Sequence, residues 1–219
     1  MKPIAEGLWQ IPLAPKESVN AYVLGDVVVD AGYKASGKKL VKALEGRAIS
    51  AHTLTHAHPD HVGGSKRVVD APGVPFWAPA GDAAAIEAGR SVVGQSRIRP
   101  LVAATNRFDP VPIARTLSEG DDVAGFRVVD VPGHSPGHIA FWRESDRVLV
   151  LGDVFFNMLL PRLKPGLRDP LTFVTPDIAQ NHASQRKLAD LEPAIACFGH
   201  GPVLHDAAPK LRAYVNARS

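Results

Sequence analysis

The stretch THAHPDHVGG, residues 55–64, places His56, His58, Asp60 and His61 within six consecutive positions, directly after residues that read as a strand. Imidazole nitrogen and carboxylate oxygen are common ligands for divalent transition metals. A single histidine is easily satisfied by one hydrogen bond, but four such groups crowded together lose several kcal/mol on desolvation unless something compensates, and a divalent cation is the usual compensation. Side chains alternate along a strand, so His56 and His58 are expected on one side, able to grip one cation, with Pro59 stopping the strand. Asp60 and His61 then fall on the turn into the next helix, within reach of a neighbouring position, and Gly63 and Gly64 let backbone pass close by.

Further ligand candidates stand in comparable places downstream. VVDVPGHSPGH carries His134 just beyond a strand, RVLVLGD carries Asp153 beyond another, and ACFGH carries His200 beyond a third. Each lies where a strand exits into a glycine-containing loop, and such exits can converge on one edge of a sheet.

The elements that must position these residues alternate between strands and short helices. LWQIPL, NAYVLG, DVVVDAG, the stretch from Ile49 to Thr55, VPFWAPA, GFRVVDVPG, HIAFWRE, DRVLVLGD and AIACFGHG read as strands. Helices are expected over 36–45, 61–70, 82–88, from a Thr175 N-cap with Pro176 at the first position to about Leu191, and over 206–217. Residues 91–115 hold no sustained period and read as one long irregular segment. The pattern predicts an α/β (α+β) chain of layered sheets and helices, one domain over 1–219.

Composition bounds the function. Twenty-five Lys and Arg against 22 Asp and Glu leave a formal charge of only +3, too mild to argue for nucleic acid. The N-terminus lacks a continuous apolar run, no later run is long enough to span a bilayer, and the single cysteine, Cys197, fits a reducing compartment. A cytoplasmic protein with no membrane partner is the expectation, and a homodimer is compatible with it.

The ordered blocks H-x-H-x-D-H, G-H, G-D and G-H resemble the pattern of the metallo-β-lactamase fold superfamily, and nearest in motif are its glyoxalase II-like members. The resemblance implies a four-layer αββα sandwich with a dinuclear metal centre at one edge. It implies a first metal on His56, His58 and His134, a second on Asp60, His61 and His200, and Asp153 bridging both. Five imidazoles and two carboxylates suit two zinc ions, with iron or manganese as alternatives. Two such ions about 3.5 to 4 Å apart can share a hydroxide and clamp a substrate oxygen, with Asp60 orienting the nucleophile and later carrying a proton. Asp30 resembles the structural aspartate of the fold, and His138 the second histidine of the G-H-S/T-P-G-H block; both are expected to support the ligands. His52, His182 and His205 read as surface or packing histidines, and Cys197 as a core residue.

The expected reaction is hydrolysis of an ester, thioester or lactone in a small-molecule acyl substrate. Departures from known subfamilies narrow it. Zinc β-lactamases place cysteine or serine where Asp153 stands; glyoxalase II carries a helical extension that grips glutathione, whereas 19 residues follow His200 here. Lactonases with the same ligands typically have a tyrosine where Phe155 and Phe156 stand, and nuclease members carry an added arm or domain. The alternatives are a phosphodiesterase, a non-catalytic metal-binding module, or a persulfide dioxygenase-like oxidoreductase, with one iron on His56, His134 and Asp153. The segment 155–173 offers a substrate-binding wall in Phe155 and Phe156 and a cationic rim in Arg162 and Arg168, joined by Lys164, Arg97, Arg99 and Arg107, which would favour an anionic acyl group.

Overall fold

A computed structural model of the chain describes residues 1–92 and 106–217, so most of the segment expected to be irregular, with Arg97 and Arg99, lies outside the described residues. Two sheets face each other. The first runs β1 (Lys2–Ala5), β2 (Leu8–Pro12), β3 (Asn20–Leu24), β4 (Val27–Val29), β5 (Ala51–Thr53), β6 (Phe76–Pro79) and β7 (Arg115–Leu117) in chain order. The second has the order β15 (Leu204–His205), β14 (Ile195–Cys197), β11 (Val148–Val150), β10 (Ile139–Arg143), β9 (Phe126–Asp130) and β8 (Asp122–Val123). A separate hairpin joins β12 (Phe156–Leu159) to β13 (Lys164–Arg168).

Alternation along the strands builds three packed interfaces from one sequence pattern. Val27 and Val29 of β4 and Phe141 and Val150 of the opposite sheet meet between the sheets, in a core that also holds Cys197. Val28, one position over, turns outward to Leu40 and Leu44 of α1 (Gly37–Leu44) and Val68 of α3 (Ser65–Asp70). Val62 of α2 (Pro59–Val62) and Ile86 of α4 (Ala83–Glu87) cover the same outer face beside Phe76. On the far side Ala140, Trp142 and Leu149 pack under α5 (Ile178–Asp190) and α6 (Ala207–Asn216) through Leu188 and Leu211. The result is the four-layer αββα sandwich.

Strand direction explains why the candidate ligands meet. β4 and β5 are parallel. In the second sheet β11 and β14 are parallel, and β9 runs the same way because two antiparallel steps through β10 restore direction. All five strands therefore leave the sheets at the same end, and their exit loops carry Asp30, His56, His134, Asp153 and His200. The Ile139 N–H donates to the Thr55 carbonyl at 2.9 Å, tying the first sheet's exit to the second.

Several expected boundaries move for identifiable reasons. The strand expected from Ile49 to Thr55 ends at Thr53, so His56 and His58 sit on an extended loop rather than on the strand. The single helix expected over 61–70 is two, because the chain turns at Gly63 and Gly64 against the 31–34 loop. A Cβ on Gly63 would lie 2.7 Å from the Lys34 nitrogen, and one on Gly64 2.4 Å from the Ala31 carbonyl. α5 is capped by Asp177, whose carboxylate accepts from the Gln180 N–H at 2.8 Å, and not by Thr175, whose hydroxyl donates to the Leu171 carbonyl.

His52 belongs to the packing of this frame. Fully buried on β5, it donates from Nδ1 to the Val28 carbonyl at 3.1 Å and accepts at Nε2 from Ser65 at 2.7 Å. Burial lowers its pKa from 6.5 to about 4. Below pH 6.5 the unfolded chain therefore binds a proton that the folded chain refuses, and stability falls as pH drops toward 4. His52→Gln removes that linkage. Between about pH 7.5 and about pH 5 the variant is expected to lose about 2 kcal/mol less unfolding free energy than the parent, as read from urea titrations; equal losses in both proteins would overturn this.

Candidate metal centre

At the shared exit edge, His56, His58 and His134 form one trio, Asp60, His61 and His200 another, and Asp153 stands between them with His56 and His61. In the first trio His58 Nδ1 lies 3.0 Å from His56 Nε2 and 2.9 Å from His134 Nε2. In the second, His200 Nε2 lies 3.3 Å from Asp60 Oδ2. One oxygen of Asp153, Oδ2, is 3.1 Å from His200, 3.3 Å from His61, 3.4 Å from His134 and 3.9 Å from His56, each measured to Nε2.

Hydrogen bonds on the outer side of each ring decide which nitrogen faces inward. Thr55 Oγ1 donates to Asp30 at 2.9 Å, so it must accept from His56 Nδ1 at 3.0 Å, which leaves a lone pair on Nε2. His61 Nδ1 donates to Asp30 Oδ2 at 2.8 Å, and His134 Nδ1 to Thr175 Oγ1 at 3.0 Å. His200 Nδ1 donates to the Ser18 carbonyl, and His58, turned the other way, offers Nε2 to the Val92 carbonyl at 3.4 Å. In the first trio three lone pairs thus face one another across about 3 Å. That arrangement is repulsive by itself and becomes favourable with a cation among them, since metal–nitrogen distances of about 2.1 Å place ligand atoms roughly 3 to 3.4 Å apart. Asp153 Oδ1 and His61 Nε2 are also buried without a hydrogen-bond partner. The donor set fits divalent metal ions.

Electrostatics separates the two trios. Burial, reinforced by neighbouring imidazoles, holds His56 well below its ordinary pKa and His58 at about 3, so both are neutral ligands. For His61 and His200 burial also disfavours charge, but Asp153, Asp30 and Asp60 outweigh it; His61 rises well above the ordinary value and His200 to about 10. The carboxyls answer in the opposite sense: burial alone would raise Asp60 and Asp153, and the facing histidines hold both well below the usual range. Positive charge is therefore favoured at the second trio, and a divalent ion would take the place of protons there.

His138 holds the Asp153 loop in place: its Nε2 accepts from the Asp153 N–H at 3.0 Å, and its ring stacks on His56 at 4.6 Å. Gly199 is held to glycine by the same cluster, since a Cβ there would lie 2.1 Å from Asp153 Oδ1. Beside the cluster opens a cavity of about 340 Å³, walled by Phe156, Leu171 and Phe173 and edged by Tyr33 and Asn106. The Tyr33 phenol, which faces Asp60, is pushed up to about 12 by partial burial and then by the Asp60 and Asp153 charges, so it remains a neutral donor. A concavity of similar size, about 330 Å³, lies near α3, but Lys34 and Lys66 there already pair with Asp109 and Asp70, and no candidate ligand lines it.

Among the described residues, none of those named for the cationic rim lines the cavity. Phe155 points away from the cavity into the core under α5 and α6, against Tyr214, whereas Phe156 faces the ligands 4.5 Å from the His200 ring. Arg162 and Arg168 are exposed near and on the β12–β13 hairpin, with Lys164, and none of the three lines the cavity; Arg107 is exposed too. His182 and His205, on α5 and β15, take no part in the cluster.

Three contributors escaped the sequence reading. Thr55 and Thr175 orient ligand rings, and Thr175 had the alternative explanation of a helix cap. Asp82 read only as the start of a helix, yet its buried carboxylate clamps both ligand loops. Oδ2 accepts from the Ala57 N–H at 2.8 Å and from Ser135 at 2.7 Å, and Oδ1 from the Gly137 N–H at 2.7 Å. Ala57 separates His56 from His58, and Ser135 follows His134. Burial holds the Asp82 carboxyl above its ordinary value, and these three donors offset part of that rise. Asp82→Ala is expected to weaken metal affinity about 10- to 100-fold in a protein that remains folded, measured by competition with a chromogenic chelator; parental affinity in the folded variant would refute the clamp.

The family model for the metallo-beta-lactamase superfamily matches residues 14–200. A probable metallo-hydrolase of Bacillus subtilis, YflN, is 26% identical over 198 residues, covering 80% of this chain and 75% of that protein. A hydroxyacylglutathione hydrolase of Methylococcus capsulatus is 33% identical over 120 residues, which is 52% of this chain but only 38% of that protein. The crystal structure of TTHA1623 in a di-iron-bound form superposes with a TM-score of 0.70 at 28% identity, covering 92% of this chain and 96% of that one. The B3 metallo-beta-lactamase BLEG-1 gives 0.68 at 27% identity, covering 92% and 95%. With the ligand geometry, the sandwich and the family match in agreement, the chain belongs to the metallo-β-lactamase superfamily.

Proposed function

We propose that this protein is a metal-dependent hydrolase that cleaves an ester, thioester or lactone of a small acyl substrate, with His56, His58 and His134 holding one divalent ion, Asp60, His61 and His200 a second, and Asp153 shared between them. The observation that carries the reading is the position of Asp153 Oδ2, between 3.1 and 3.9 Å from ligand nitrogens of both trios. Bound divalent ions supply a water-derived nucleophile at neutral pH and an electrophile for the carbonyl oxygen. Zinc suits the nitrogen and oxygen donors, and the di-iron form of TTHA1623 keeps iron as the second candidate.

The chain's own residues supply the rest. Asp60 lines the cavity as well as the cluster, and its ionised carboxylate can orient the nucleophile, take its proton and return it to the leaving group. Phe156, Leu171 and Phe173 give an apolar acyl group a dry wall, which strengthens every electrostatic contact beside it. Hydroxyacylglutathione hydrolases at 33% identity favour a thioester within this class.

Chelation of the purified protein is expected to abolish turnover on a panel of 4-nitrophenyl esters, acyl thioesters and lactones, and zinc, manganese or iron to restore it. A protein that retains no metal and gains no activity from any of the three on any panel member is not this hydrolase. Asp60→Asn is expected to cost at least about 100-fold in kcat by the loss of its proton role. Arg162→Ala and Arg168→Ala, exposed and off the cavity, are expected to leave KM unchanged for anionic and neutral panel members alike; a rise confined to the anions would reinstate the cationic rim.

A further inference from the structure

Among the described residues, the cavity holds one polar group that neither the ligand cluster nor the fold uses. Asn106 is 7% exposed and lines the cavity, yet its side-chain nitrogen, Nδ2, is buried without a hydrogen-bond partner. Leaving a buried amide N–H unmade costs roughly 1 to 3 kcal/mol, so such a group in a native site calls for an acceptor that arrives from outside. Its placement is not casual. The Asn106 carbonyl accepts from the Ser91 N–H at 3.3 Å, and the Phe108 N–H donates to the Gly89 carbonyl at 3.0 Å. Ser91 Oγ in turn donates to the Ala57 carbonyl, inside the H-x-H loop. Asp109 pairs with Lys34 at 2.8 Å, which draws the Asn106 loop to the segment carrying Tyr33. Four contacts thus hold the loop that carries Asn106, and with it this unpartnered amide, at the cavity lined also by Asp60, His58 and His134.

We propose that Asn106 is a specificity-determining residue: its carboxamide donates to an acceptor oxygen in the acyl portion of the substrate, additional to the scissile carbonyl. The site then selects oxygen-bearing acyl groups, as ethers, ketones or hydroxyls, over plain alkyl chains that would bury the same amide unsatisfied. A site built around a polar contact rejects the analogue that lacks it more strongly than an apolar pocket rejects an extra group. The proposal relies on the hydrolase reading only for where the substrate sits.

The test uses probes that differ by one atom. 4-Nitrophenyl methoxyacetate and 4-nitrophenyl butanoate share chain length and shape, with oxygen in one replacing a methylene in the other. Asn106→Leu keeps the side-chain volume and removes the donor; Asn106→Ala asks the same question should leucine disturb the packing. With metal-replete protein, either substitution is expected to lower kcat/KM for the methoxyacetate about tenfold while changing the butanoate less than about twofold. Comparison within each ester cancels their different intrinsic reactivity. Equal losses on both esters would mean a structural role, and no loss on either would mean that water satisfies the amide; each overturns the proposal.

A binding readout separates this from the hydrolase reading. The side-chain amide resonance that is missing from Asn106→Leu is expected to shift when 2-methoxyacetamide is added to the parent protein and to stay put with butanamide. It reports whether or not either ester is turned over. If the resonance ignores both amides or moves equally with both, Asn106 does not choose by acceptor oxygen, even in an active enzyme; a selective shift in a protein inactive on every panel member would retain the contact and remove the reaction.

Discussion

Each imidazole of the cluster gives its outward N–H to a fixed acceptor, and in the trio of His56, His58 and His134 the nitrogen left over carries a lone pair turned toward its neighbours. That is the constraint on which the rest of the structure depends. Asp30, Thr55, Thr175, Ser18 and Val92 set the outward bonds, and once they are made the inner nitrogens cannot satisfy one another. Like donors about 3 Å apart repel in a medium where water cannot screen them. The fold therefore stores a demand for positive charge at one edge, which a cation meets.

Maintaining that demand requires rigid backbone around it. Asp82 binds the two loops that carry His56, His58 and His134, so the first trio is held from behind by a carboxylate that touches no ligand ring. His138 fixes Asp153 through its backbone amide, which leaves the carboxylate available to both trios. Gly199 lets the loop carrying His200 pass directly over Asp153, where any side chain would strike its carboxylate. The two trios also differ in charge preference. Neutral imidazoles dominate the first, whereas carboxylates at the second favour cations, so the pair of sites is asymmetric before any ion binds.

The cavity beside the cluster inherits its character from strand geometry. Neighbouring side chains at the start of β12 point to opposite faces, which sends Phe155 into the core and Phe156 to the ligands, although the two residues are identical in type. The wall is apolar at Phe156, Leu171 and Phe173, with the neutral donors of Tyr33 and Asn106 at its edge. The described part of the cavity thus combines this apolar wall with the cluster's own Asp60, Asp153 and His200, and the arginines of the β12–β13 region lie apart from it.

The sequence by itself determined which groups gather. The spacing of His56, His58, Asp60 and His61 brings four donors together through local geometry alone, and His134, Asp153 and His200 announce themselves as polar residues at strand exits beside glycine. The layered frame was legible as well, because alternation and helical spacing are local properties of the chain. What only the tertiary structure decided is which nitrogen of each ring faces inward, that Asp82 clamps the loops, that the chain breaks its helix at Gly63 and Gly64, and that Phe156 rather than Phe155 lines the cavity. The partners in those decisions lie far apart in sequence: His61 and Asp30 by 31 residues, His134 and Thr175 by 41, His200 and Ser18 by 182. A short window of sequence carries the propensity of each residue but not the identity of the hydrogen-bond acceptor that folding brings to it, and at this site that acceptor sets the chemistry.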